Sequence, residues 1–93
     1  MISRTTKSFW KHYDALPQEV QRQAVRAYAL WRANPSHRSL QFKCVSGEHA
    51  VFSVRVGIHW RALGYRDVEL GEDTVTWFWI GSHADYDKLV AGL

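Results

Sequence analysis

At 93 residues with five Trp, four Tyr and four Phe, the chain has length for one domain spanning 1–93, and large side chains must fill its core, since domains this small bury only about 60% of their unfolded surface. The single Cys44 excludes an intramolecular disulfide, no apolar run approaches the roughly 18 residues of a membrane span, and Met1-Ile2-Ser3-Arg4 does not lead into a signal-peptide core; the expectation is a cytoplasmic protein and not a disulfide scaffold. The net charge of +3 conceals an asymmetry, with eleven Lys/Arg and three acids in residues 1–66 against one Lys and six acids in residues 67–93, which suggests a basic body facing a polyanion.

Residues 1–6 read as a loose basic end. Thr6 is placed to cap a first helix over about 7–15, with Phe9, Trp10, Tyr13 and Leu16 on its buried side. Leu16-Pro17 breaks it, because proline disfavours helical geometry in the residue before it. Pro17 suits the first position of a second helix, and Glu19 sits in the first turn, where the dipole favours an acid. Val20, Ala24, Ala27, Tyr28 and Trp31 form one face of a 3.6-residue period, and Asn34-Pro35 ends the helix. The two helices read as a hairpin.

Four strands are expected next, over about 40–46, 51–56, 58–66 and 74–80, with turns at Gly47-Glu48-His49 and Gly57 and an acidic loop over 67–73 around Gly71. Short turns imply antiparallel neighbours. Alternation puts Trp77 and Trp79 on one face of the last strand and Phe78 and Ile80 on the other. Apolar groups on both faces predict a central strand, covered by the helical hairpin on one side and by a short helix over 84–90, or a partner, on the other.

The sheet should gather Lys43, Arg55, Arg61 and His83, which are distant in sequence. Fixed cations beside an imidazole, whose ordinary pKa is near 6.5, suit phosphodiester chemistry: a base takes the 2′-hydroxyl proton, positive charge stabilises the crowded phosphate, and an acid protonates the leaving 5′-oxygen. The same cations could simply hold a nucleic-acid backbone or an acidic partner. Arg38 in the connector before the first strand, and His59 in the third, are further candidates for RNA contact. The five histidines and Cys44 lack zinc-ligand spacing, and no Gly-rich phosphate loop is present.

The series Leu40-Gln41-Phe42-Lys43, Ser53-Val54-Arg55-Val56-Gly57, Trp60-Arg61-Ala62-Leu63, Trp77-Phe78-Trp79-Ile80-Gly81-Ser82-His83 and Tyr86-Asp87-Lys88-Leu89, preceded by Phe9-Trp10, Leu16-Pro17 and Asn34-Pro35-Ser36-His37, resembles the RelE/ParE toxin superfamily over residues 5–91. The resemblance implies an α+β domain with two N-terminal helices on a curved, mainly antiparallel four-stranded sheet and a short C-terminal helix. It implies the toxin of a type II toxin–antitoxin pair, bound by a cognate antitoxin and needing no metal or organic cofactor. RelE-type members cut mRNA in the ribosomal decoding site; ParE-type members act on DNA gyrase and cleave nothing. An orphan, non-toxic interaction domain is the third reading. By the resemblance, Arg55 matches the strand-two arginine that contacts the scissile phosphate, and Arg61 the arginine of the third-strand pattern, though it could also bond the first turn or an acid such as Asp85. His83 stands near a position that is often basic rather than imidazole in RelE-type members. Tyr86 matches a C-terminal aromatic that stacks on a base or assists proton transfer, or else packs the last helix onto the sheet. With Lys43 on the phosphate, the expected catalytic set is Arg55, Arg61, His83 and Tyr86.

Overall fold

The Thr6 hydroxyl accepts the Phe9 N–H at 3.1 Å and starts α1, Lys7–Asp14. The computed structural model describes residues 1–93. Pro17 precedes α2, Gln18–Ala33, and the extended Asn34 ends it. Val20 and Trp31 are buried on the expected face of α2. Trp10 and Tyr28, also expected inside, are about half exposed. The reason is packing: α1 lies on the last strand and α2 on a middle one, so a groove of about 360 Å³ opens between them, floored by Trp31 and Trp77 with Phe9 and Tyr13 on its wall.

The sheet has five strands in the order β1-β5-β4-β3-β2, one more than the sequence suggests: β1 Ile2–Thr5, β2 Lys43–Ser46, β3 Val51–Gly57, β4 Trp60–Glu69 and β5 Glu72–Ser82. The presumed loose end is β1, which pairs parallel with β5 while all other pairs are antiparallel. Side chains hold it there: the Trp77 indole donates to the Ser3 hydroxyl at 3.2 Å, and that of Trp10 to Thr5 at 2.9 Å. Residues 38–40 form a 3₁₀ turn, not strand, and Gln41 at φ 47° redirects the chain into β2.

The expected acidic loop is instead the closed end of the β4–β5 hairpin. Leu70 and Gly71, with φ of 51° and 81°, make a two-residue turn of the kind whose twist matches antiparallel arms. The acids become ladder residues: Glu69 pairs with Arg4 at 2.7 Å and Asp73 with Arg66 at 2.8 Å. The hydrogen bond from Arg66 holds the Asp73 carboxyl below its usual value near 3.8. A depressed carboxylate contributes stability that is present above the unfolded pKa and lost as pH falls through the folded one. Wild type should therefore melt above Asp73→Asn at pH 6, and the two curves should converge below about pH 4; a constant gap in thermal melts down to pH 2 would refute the pairing as the cause.

The register contains a bulge in β5. Leu63 faces Trp79 and Gly64 faces Trp77, leaving Phe78 as an extra residue. One inserted residue flips alternation beyond it, so Trp77 and Trp79 lie on opposite faces, contrary to simple alternation. Trp77 joins Trp31, Leu40, Val54, Ala62, Val75 and Ile80 under the helical hairpin. Trp79 joins Val51, Leu63 and Tyr86 under the C-terminal helix α3, His83–Ala91, with Phe78 packed alongside. No helix is long and apolar enough to cross a membrane.

Candidate functional site

Arg55 on β3 and Arg61 on β4 are direct cross-strand partners. Such partners project to the same face with Cβ atoms about 4.5–5.5 Å apart, and like charges there are destabilising. Ser53, two residues before Arg55, pairs with Lys43 on β2, so Lys43 is the diagonal neighbour of Arg55, roughly 7–8 Å away by strand geometry. This is the face covered by α3, since Tyr86 of α3 donates its hydroxyl to the Ser53 hydroxyl at 3.1 Å. A second irregularity, leaving Val56 unpaired between Arg55 and Gly57, bends the sheet where the arginines sit.

The two guanidinium groups have different surroundings. Arg61 Nη1 donates to the carbonyls of Gly57 at 2.9 Å, Trp60 at 2.8 Å and, more weakly, Ile58 at 3.4 Å. It fixes the turn between β3 and β4. Partial burial first, and the charge of Arg55 second, lower the Arg61 pKa; Tyr86 and Asp87 act in the opposite direction. Arg4, Arg22, Arg26 and Arg66 are all ion-paired with acids. Arg55 is not, and its half-buried side chain stands beside a second cation. An arrangement that raises the local potential in this way suits an anion brought from outside.

His83 opens α3 beside this pair. Its backbone N–H donates to the His59 carbonyl at 2.7 Å, which ties α3 to the β3–β4 turn. The Ser82 hydroxyl caps the helix by accepting from Asp85 N–H at 3.1 Å. The His83 ring stands edge-on to Tyr86 at 5.7 Å, and its Nδ1 lies 3.0 Å from Asp87 Oδ2. Tyr86 is buried, with its hydroxyl engaged by Ser53, and it anchors α3 to the sheet.

Lys43, Arg55, Arg61, His83 and Tyr86 thus share the α3 side of the sheet. Arg38 does not: it is exposed on the 3₁₀ turn whose Leu40 is buried in the helix-side core. His59 is exposed in the β3–β4 turn and meets the site through its carbonyl. Two residues at the site escaped the sequence reading, Ser53 and Asp87. The spacing of His83 and Asp87, one helical turn, was the available signal for the second.

Residues 18–88 match the family model described as the ParE-like toxin domain. The chain belongs to the ParE-like toxin family. Its fold is that of several solved toxins of this kind. The toxin domain is similar to the toxin–antitoxin complex RelBE2 from Mycobacterium tuberculosis, at 21% identity and TM-score 0.66 over 88% of this chain and 96% of that one. It is similar to the YoeB/ParE toxin from Agrobacterium tumefaciens, at 14% identity and TM-score 0.65 over 89% and 99%. The isolated E. coli RelE toxin aligns at 11% identity and TM-score 0.59 over 99% and 98%. At such identities the likeness is one of fold. No curated protein matches the sequence.

Proposed function

We propose that this domain is the toxin of a type II toxin–antitoxin pair and that it cuts mRNA on the ribosome. The observation that carries the reading is the Arg55–Arg61 pair: two cations on directly opposed strand positions, neither ion-paired with an acid, on the face of the sheet covered by the helix that His83 opens. In this reading Arg55 and Lys43 take the non-bridging oxygens of the scissile phosphate, and Arg61, held by the turn, sets the floor. The RNA 2′-oxygen attacks phosphorus as its proton passes to His83; the P–O5′ bond breaks and solvent protonates the 5′-oxygen. The products are a 2′,3′-cyclic phosphate and a 5′-hydroxyl. Tyr86 orients α3. Solved complexes of RelB with RelE, from Methanococcus jannaschii and Pyrococcus horikoshii, share the fold. They support an antitoxin as partner, and the apolar groove between α1 and α2 offers it a surface.

A second reading, inhibition of DNA gyrase without cleavage, is favoured by the description of the matching family model and by the engaged Tyr86 hydroxyl. Induced expression followed by primer extension on cellular mRNA separates the two. New cuts phased with codons are expected. Intact mRNA with stalled replication would establish the gyrase reading instead, and ordinary growth would establish an orphan interaction domain.

A further inference from the structure

The mechanism above uses one imidazole, and a free imidazole places its proton on either nitrogen. Which nitrogen carries it is set by the bond the other makes. Asp87 follows His83 by one turn of α3, and its Oδ2 lies 3.0 Å from Nδ1. An ionised carboxylate has no proton to give, so the ring nitrogen it meets is the donor. The ring is located from three further directions: Ser82 caps the helix, the His83 backbone is tied to His59, and Tyr86, anchored on Ser53, presents its ring edge-on. Asp87 also faces Arg61, whose charge it favours. The carboxylate therefore contacts the imidazole at 3.0 Å and also favours the charge of the turn-held cation.

We propose that Asp87 is a positioning residue of this site: it holds the Nδ1 proton of His83 and so leaves Nε2 as the basic atom presented to the RNA 2′-hydroxyl. The consequence for cleavage rests on the reading of the site as an RNA-cutting one; the tautomer does not.

An acid beside a phosphate site is a liability unless it does something for a neighbour. The Asp87 side chain is 62% exposed and meets His83 as a surface pair, and such pairs add little to stability. A role in fixing the ring accounts for its position better than a role in holding the fold.

The test uses the full chain. Long-range ¹H–¹⁵N spectra of the His83 ring, recorded on wild type and Asp87→Asn with thermal melts alongside, report where the proton of the neutral ring sits. Message cleavage after induction is measured for both, with Asp87→Glu as the conservative control. Wild type should carry its proton on Nδ1. In Asp87→Asn the amide can give or accept, so the preference for Nδ1 should be lost. Cleavage should fall on the order of tenfold or more with an unchanged melt, and Asp87→Glu should recover part of it. A wild-type ring protonated on Nε2 overturns the proposal whatever the activity. Unaltered cleavage by Asp87→Asn overturns it while the RNA reading stands, because wild type still cuts. Wild type that cuts no message brings down the RNA reading first, and leaves Asp87 and His83 as no more than a surface pair.

Discussion

Arg55→Ala is expected to reduce message cleavage by about 100- to 1,000-fold, the usual cost of removing one preorganised partner of the developing charge, and to abolish growth inhibition with the fold intact. The reasoning begins with the pairing. Arg55 and Arg61 are opposed across β3 and β4, where like charges repel. Arg61 is compensated by the carbonyls that its Nη1 meets at 2.8–3.4 Å. Arg55 lacks such an arrangement, so its removal relieves repulsion and breaks no ion pair. A polar substitution of this kind usually changes stability by less than about 0.5 kcal/mol, or within about 4 °C of melting temperature for a domain of this size. Arg61→Ala should differ, because it also frees the β3–β4 turn and should lower the melting temperature together with activity. The measurements are primer extension on induced cells and thermal melts of the purified variants. Wild-type cutting by the Arg55→Ala, His83→Ala double variant would remove both residues from the site.

The grouping of Lys43, Arg55 and Arg61 was legible because it needs only two facts, strand alternation and short turns, and the sequence carries both. The helical hairpin was legible for the same kind of reason: Thr6, Leu16-Pro17 and Asn34-Pro35 punctuate it clearly, and Val20 and Trp31 are buried as their period requires. β1 was not legible. Ile2-Ser3-Arg4-Thr5 has no alternation of its own and becomes a strand only by pairing with β5, about seventy residues later. The acids of 67–73 misled for a different reason, since charge does not by itself mark a loop: Glu69 and Asp73 are half-buried ladder residues of the β4–β5 hairpin, held by Arg4 on β1 and by Arg66 on the facing arm. The faces of Trp77 and Trp79 were misassigned because a bulge leaves no mark on the bulged strand. Its trace is on the partner strand, at Gly64, where an added Cβ would lie 2.7 Å from Val75 and 2.9 Å from the Trp77 ring. The roles of Arg38 and His59 could not be read because each sits in a short connection whose direction is set by Gln41 and by the β3–β4 turn, not by any period.

Trp31→Ala should be the most destabilising single change in the hairpin, at roughly 3–5 kcal/mol out of a total that for a domain of this length is about 5–14 kcal/mol. Trp31 is 1% exposed and lies edge-to-face with Trp77 at 5.3 Å and with Phe42 at 5.8 Å, so it joins α2 to β5 and to the entry of β2. Truncation removes both contacts and enlarges the groove between the helices. Trp31→Phe is the informative comparison. The Trp31 indole nitrogen is buried without a hydrogen-bond partner, and a buried unsatisfied donor costs about 1–3 kcal/mol. Phenylalanine keeps a ring against Trp77 and discards the unpaired N–H, so the lost area and the relieved donor oppose each other. The net change should stay below about 2 kcal/mol, well short of the alanine value. Urea denaturation of the three proteins decides it: if phenylalanine costs as much as alanine, the indole nitrogen is bonded in solution and the site wants a donor, whereas a small difference from wild type identifies Trp31 as a packing residue whose polar atom contributes nothing to the fold.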